Sequence, residues 1–583
     1  MSLVLERAPA PLSGRPRAGR VDRRPTVRGV LSRIAWPLAA MFSAMSATVA
    51  RWGYRFGADD QVVLSLKGIA HADPTAYVND WFTQRVPQPH WLFDAVTYAG
   101  ERLGVLPIAY LAWWIASFLA FGVAAVWLTR RFLPGQPWMA LLVGPALVLG
   151  QSTALGSSSA LYGLALPGAL GACLGFLTLA ALVTGRWRTA AVVAVLAALT
   201  HVQHGANLAP VLLLGAALAT ARPRAHRFAL GGVGIALVVQ ALLVGELRGI
   251  ENGGDGWLEA CRLAIPFHCD ADTWTPAALA GGAVVVALAL AFAVRQARDW
   301  RTSIAALALP AGALLGAALA DRFDVPFFAH VAQRYNVYRY AGFVLPTAAF
   351  ALVWMTGRLR DSWKPGRAVG LFGLWLAWLT VSDAAFHSAR PTGVAVALVV
   401  AVAFVLTAPG RDGRVPRGAV AVALLVTATV ANSGFAPVHL GYDRSDARMA
   451  AALDVGQVVP AGSVIAADPR ISWLRRASRR AVVAECKGIA FGGVAWAENT
   501  RRIGDLGGWE ACTGPRQDGF PTLSPADVEA LTTRYGSTHA LLTGDDPKLG
   551  HARANWALVR HFPPRPAPLM DQGWWLFELP PAP

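Results

Sequence analysis

Two aspartates, Asp59 and Asp60, stand side by side in "RFGADDQVVLSL", directly after an apolar stretch. Adjacent carboxylates repel, and both stay ionised only where solvent, a cation or hydrogen-bond donors offset the repulsion. Such a pair can accept a proton or hold a metal ion. It can also do no more than cap a helix, since "GADD" before "QVVLSL" fits an N-cap at either position. Other groups that bind anions or move protons accompany it. Residues 51–104 carry Asp80 and His90 among aromatics, "CRLAIPFHCD" carries Arg262 and His268, and "QRYNVYRY" carries Arg334 and Arg339. In "THVQHG", His201 and His204 share one helix face, as a metal pair or as two satisfied interfacial histidines. An arginine at a span end either snorkels or grips two oxygens of a phosphate.

These groups must be positioned by membrane helices. The 583 residues are 55% hydrophobic and 15% charged, against about 25% charged in soluble chains. Mean hydropathy is +0.42. Runs such as "GLALPGALGACLGFLTLAALVTG" are long enough to cross a bilayer as helices. The pattern predicts about thirteen spans, at 34–50, 105–129, 137–154, 160–185, 189–203, 206–220, 228–247, 276–294, 302–320, 340–356, 367–385, 391–408 and 418–435. With the N-terminus inside, six cytoplasmic loops follow: "TRRFLPGQP", "GRWR", "ARPRAHR", "RQARDWR", "GRLRDSWKPGR" and "APGRDGRVPRG". All are basic, as orientation by positive charge requires. The net charge of +17 is thereby a matter of topology rather than of nucleic acid. The opposite loops hold the acids and nearly all the histidines, and an odd span count puts the C-terminus outside.

This divides the chain into a disordered basic cytoplasmic arm (1–33), a transmembrane domain (34–435) with a long first outer loop (51–104), and a tail (436–583). The first loop is apolar enough to lie on the membrane as short amphipathic helices. In the tail, the short apolar runs "GSVIAA", "RRAVVAE", "HALLTG", "WALVRHF" and "GWWLFEL" alternate with helix-like pieces, which predicts a small α/β domain. Ser524 and Asp527 have capping-box spacing, with Pro525 at the first helical position. The tail is expected to serve acceptor binding. The five cysteines lack metal-ligand spacing. If their loops lie outside, Cys261 with Cys269 and Cys486 with Cys512 can form disulfides.

The order of these features resembles the C-type glycosyltransferase (GT-C) superfamily. "DDQVVLSLKGIAHADPTAYVNDWF", "THVQHG", "RLAIPFHCDADTW" and "SRRAVVAECKGIAFGGVAWAENTRRI" look like a group of bacterial GT-C-like polytopic membrane proteins. The resemblance implies an α-helical polytopic fold with a C-terminal extracytoplasmic α/β domain. It also implies inverting transfer of a sugar from a polyprenyl-phosphate-linked donor to an acceptor hydroxyl of a cell-envelope glycan or lipid, at the outer face of the cytoplasmic membrane. Carried over, the base is Asp60 or Asp59, with Asp60 preferred. Arg334 and Arg339 would meet the leaving phosphate; His268, Arg262, His204, Asp80 and His90 are expected to line the substrate because they gather with these groups on one membrane face. A divalent cation, Mg²⁺ or Mn²⁺, is left open, because the sequence lacks an extended acidic metal motif. Two other readings stand beside this one: a flippase for a lipid-linked precursor, and a catalytically inactive GT-C-like scaffold. The flippase lacks support in paired broken helices or repeated halves.

Overall fold

The computed structural model describes residues 27–150, 160–219, 222–247, 261–295, 304–323, 335–361, 437–490, 493–509, 518–564 and 573–581, with a few residues between them. Among these, five helical stretches are long and apolar enough to cross a membrane: Leu106–Phe132, Arg224–Gly245, Ala278–Arg295, Ile304–Arg322 and Val337–Leu359. The chain is a multi-pass membrane protein. Its packing agrees with a lipid surround. In α11 (Arg224–Leu247), Phe228, Ile235 and Leu243 are exposed, which an aqueous surface would penalise and acyl chains do not. The helix Ala341–Asp361 instead runs through the middle, with Phe343, Leu345, Phe350 and Leu352 fully buried.

The first expected span is α1 (Val27–Trp52), and the next is α6 (Leu106–Phe132). α7 (Ala140–Gly150) follows. The span expected over 160–185 begins only at Pro167, as α8 (Pro167–Val183). A proline at the first helical position loses no hydrogen bond and presets the turn, so the helix starts there. The spans expected at 189–203 and 206–220 are α9 (Trp187–Thr200) and α10 (Val202–Leu218), separated by one extended residue, His201. Gly205 permits their close approach, since a Cβ there would fall 2.5 Å from the Ala198 Cβ. The expected spans at 391–408 and 418–435, and much of 367–385, lie outside the described residues, as do Arg334 and the count of thirteen.

Where α1 ends, residues 54 and 55 form β1 (Tyr54–Arg55), which pairs in parallel with β2 (Val438–His439). The chain leaving the first span is thus joined directly to the start of the tail. Between α1 and α6 lie four short helices: α2 (Gln61–Leu64), α3 (Leu66–Ala72), α4 (Trp81–Arg85) and α5 (Trp91–Arg102). α5 is amphipathic, burying Phe93, Thr97 and Gly100 while Trp91 and Tyr98 stay exposed.

Each of the five apolar runs of the tail supplies a strand. β3 (Val464–Ala467), β4 (Ala481–Val482), β5 (Ser537–Thr543), β6 (Ala557–Phe562) and β7 (Trp574–Glu578) form one sheet in the order β4-β3-β5-β7-β6. β3 runs parallel to β4 and β5, and β7 runs antiparallel to β5 and β6. Helices pack on both faces, giving two apolar layers. The helix Pro525–Tyr535 opens with the full capping box between Ser524 and Asp527.

Candidate active site

Asp60 occupies the N-cap position of α2, yet its side chain makes no capping hydrogen bond. The turn is closed instead by the Gln61 side chain, whose Oε1 accepts from Gly57 N–H at 2.7 Å while its Nε2 donates to the Ala165 carbonyl. Asp59 sits at φ 49°, a left-handed conformation that aspartate tolerates better than most residues. Freed from capping, both carboxylates face one cation. The Lys487 ammonium donates to Asp59 Oδ1 at 2.6 Å and to Asp60 Oδ1 at 2.9 Å. Burial pulls the Lys487 pKa down, but Asp60, Asp59 and their hydrogen bonds outweigh this and hold it above its ordinary value.

Lys487 reaches this point because the tail segment around it is clamped to the loop after α1. Arg475, 1% exposed, pairs with Asp80 at 2.9 Å and with Glu485 at 3.3 Å. Asp80 also caps α4 by accepting from Thr83 N–H at 2.8 Å. Arg476 donates to Ser65 Oγ and to the Tyr442 hydroxyl, and its guanidinium lies over Phe56 and Tyr442. Arg479 pairs with Asp73 and Glu101. Three arginines of one tail segment therefore seat on the first loop, and Lys487 is carried with them. Asp80, expected to line substrate, is 0% exposed and committed to this clamp. With Arg475, Thr83 and Val482 around its carboxylate, no face is left for a ligand.

Two buried acids share the single Arg475, and Glu485 bears the imbalance. Burial raises its pKa to about 7, against the pull of Arg475. The folded chain thus keeps a proton that the unfolded chain releases near the ordinary value of 4.5. The associated stability is present below that value and is lost as pH rises toward about 7. Glu485→Gln is expected to flatten this part of the pH dependence of thermal unfolding. A slope unchanged by the substitution would show that Glu485 does not hold that proton.

The remaining expected residues divide into two groups. Arg339, just before the helix Ala341–Asp361, lies within electrostatic reach of Asp60 and Tyr162. It also lies within reach of His204. His90, His201 and His204 form a buried ladder, with ring centroids 5.1 and 4.7 Å apart, and His204 Nε2 meets the Gly168 carbonyl at 3.0 Å. These residues border the acid pair's surroundings. Arg262 and His268 belong to another cluster. Arg262 pairs with Asp270, and the Cys261–Cys269 disulfide closes that loop. Asp321 braces it by accepting from Ala271 N–H, with Tyr338 alongside. The described contacts of this loop run to Asp270 and Asp321, whereas those of Asp59 and Asp60 run to Lys487.

Among the described residues no three His, Cys, Asp or Glu side chains gather as a metal site. Mg²⁺ or Mn²⁺ bridging the two aspartates would have to displace the Lys487 ammonium. Sequence reading missed Lys487 itself. A usable signal was present, since lysine is rare here: Lys67, Lys364, Lys487 and Lys548 are the only ones in the chain.

No family model matches the chain, and no curated protein does. Two crystal structures of ArnT from Cupriavidus metallidurans are similar to it. The one bound to undecaprenyl phosphate is 15% identical and covers 96% of this chain and 100% of its own, with a TM-score of 0.45. The apo structure is 16% identical and covers 95% and 99%, with a TM-score of 0.46. At this identity and TM-score the likeness carries no chemistry across.

Proposed function

We propose that the chain is a membrane glycosyltransferase. It moves a sugar from a polyprenyl-phosphate-linked donor to an acceptor hydroxyl at the outer face of the cytoplasmic membrane, with inversion. The observation that supports this most is the seat of Lys487 on Asp59 and Asp60, at the end of α1, with Arg339 in reach. An ammonium has three protons. Two go to the carboxylates, and the third can meet a phosphate oxygen. Base and leaving-group cation would then stand side by side.

In the proposed step the acceptor O–H gives its proton to an aspartate carboxylate, Asp60 preferred. The acceptor oxygen forms the new bond to the anomeric carbon. The bond from that carbon to the donor's phosphate oxygen breaks, and its electron pair leaves with the polyprenyl phosphate. Lys487 and Arg339 offset the charge that develops there. The first loop, 51–104, which carries the acid pair, is rich in aromatics that suit contact with sugar faces.

The decisive assay is transfer from a panel of polyprenyl-phosphate-linked sugars by the purified chain in lipid. Transfer from at least one donor is expected, and none from any would overturn the reading. The outer location has its own test. A single cysteine at Arg224 should resist an impermeant thiol reagent in whole cells, and one at Asp272 should react. The reverse pattern would place the acid pair and the tail inside.

A further inference from the structure

Exposed ion pairs formed by long side chains are ordinarily weak, because the flexible stem loses entropy and water screens the charges. Lys487 and its two partners are each about half exposed, at 44%, 46% and 53%. A firm contact between them depends on how rigidly the lysine's backbone is held. That backbone is held unusually well. Gly488 N–H donates to the Glu485 carbonyl and Ile489 N–H to the Lys487 carbonyl, both at 3.0 Å, so Lys487 sits in a tight turn. Before the turn, Glu485 is buried against Arg475, and after it Ala490 is fully buried in the main core. The residue next to the lysine, Cys486, is bonded to Cys512.

That disulfide closes a loop of sequence separation 26 around the helix Gly493–Asp505. The helix is itself tied down. Arg502 lies over Trp81 of α4 and donates to the Val483 carbonyl, and Trp496 stacks on Trp509 three residues before Cys512. The bridge therefore links the lysine-bearing turn to a second element that rests on the same first loop.

We propose that the Cys486–Cys512 disulfide is a positioning element: it fixes the turn that seats Lys487 on Asp59 and Asp60, so that this site is assembled only in the oxidised chain. A cation preorganised in this way loses less freedom when it meets a ligand phosphate than a mobile one does. The consequence for transfer rests on the function proposed above, but the seating of Lys487 can be measured without it.

The first test reads the amine. The full chain in lipid nanodiscs is acylated with an amine-reactive ester, and modification of Lys487 is followed by mass spectrometry with the half-buried Lys67 as internal reference. Oxidised parent, parent reduced with dithiothreitol, and Cys486→Ser/Cys512→Ser are compared. Each pKa unit lost on release from the aspartates raises the reactive fraction about tenfold. Faster acylation of Lys487 in both bridge-free forms is expected, and no change in Cys261→Ser/Cys269→Ser. Unchanged acylation in reduced parent, which has already folded, overturns the proposal even if the serine variant fails to fold. The second test uses transfer. Loss of the bridge should lower kcat in the parent and have no further effect in a Lys487→Met background. Losses that simply add would show that the bridge acts elsewhere, and the proposal would fall. If acylation responds while the parent transfers no sugar, the positioning role stands and the transferase reading fails.

Discussion

Asp60→Asn is expected to cut sugar transfer about 10²–10⁴-fold, the usual cost of a missing general base. Asparagine keeps the shape of the side chain and can still accept a hydrogen bond from Lys487, but it cannot take up the acceptor's proton. The variant should fold and insert normally, because the Asp60 side chain caps nothing and α2 is closed by Gln61. Asp59→Asn should cost less. It removes one of the two negative charges facing Lys487 and leaves the Asp60 carboxylate at 2.9 Å. In the double variant Lys487 loses both carboxylates, and transfer should fall at least as far as in the Asp60 variant. The measurement is the initial rate with a saturating polyprenyl-phosphate-linked donor, alongside unfolding temperature as a control for folding. Transfer by the double variant at the parent rate would remove both aspartates from the chemistry.

What was legible in the sequence is what short-range pattern encodes. Acids are few in this chain, so a pair beside an apolar run stands out. The five tail strands were legible because each is a brief apolar run between breakers, and the capping box because its spacing is fixed at three residues. The partnership that organises the site is not of this kind. Lys487 and Asp60 are 427 residues apart, and no periodicity links them. For the same reason Asp80 looked like a ligand-binding acid, its partner Arg475 lying in the tail. His201 misled in a different way. Apolar sequence runs on both sides of it with no proline between, so nothing local announces that the break between α9 and α10 falls at His201 itself and takes it off the helix face of His204. Arg262 and His268 were placed with the acid pair because all lie on one expected membrane face. A shared face does not fix lateral position, and their disulfide-closed loop turns instead to Asp321.

The clamp that brings Lys487 into place leads to the largest expected effect on stability. Arg475→Met removes the one cation between Asp80 and Glu485, both essentially shut off from water. Breaking a buried pair from one side typically costs about 3–5 kcal/mol, because an uncompensated charge remains. Proton uptake by Glu485, whose pKa already lies at about 7, would absorb part of that. Asp80 has less room to relax, since its carboxylate also accepts from Thr83 and Val482 backbone N–H groups that protonation would weaken. The expected result is a clearly lower unfolding temperature of the full chain, with faster proteolysis of the tail around residues 474–487. Replacing all three groups together, as Arg475→Met with Asp80→Asn and Glu485→Gln, should recover much of the loss, because no buried charge is then left alone. Recovery separates an electrostatic clamp from simple loss of the arginine's bulk, which the triple variant does not restore. If Arg475→Met unfolds at the parent temperature, the tail is held to the first loop by its other contacts and the buried triad is incidental. If the single and triple variants are equally unstable, the arginine acts through packing against Phe82, over whose ring it lies at 5.0 Å, rather than through its charge.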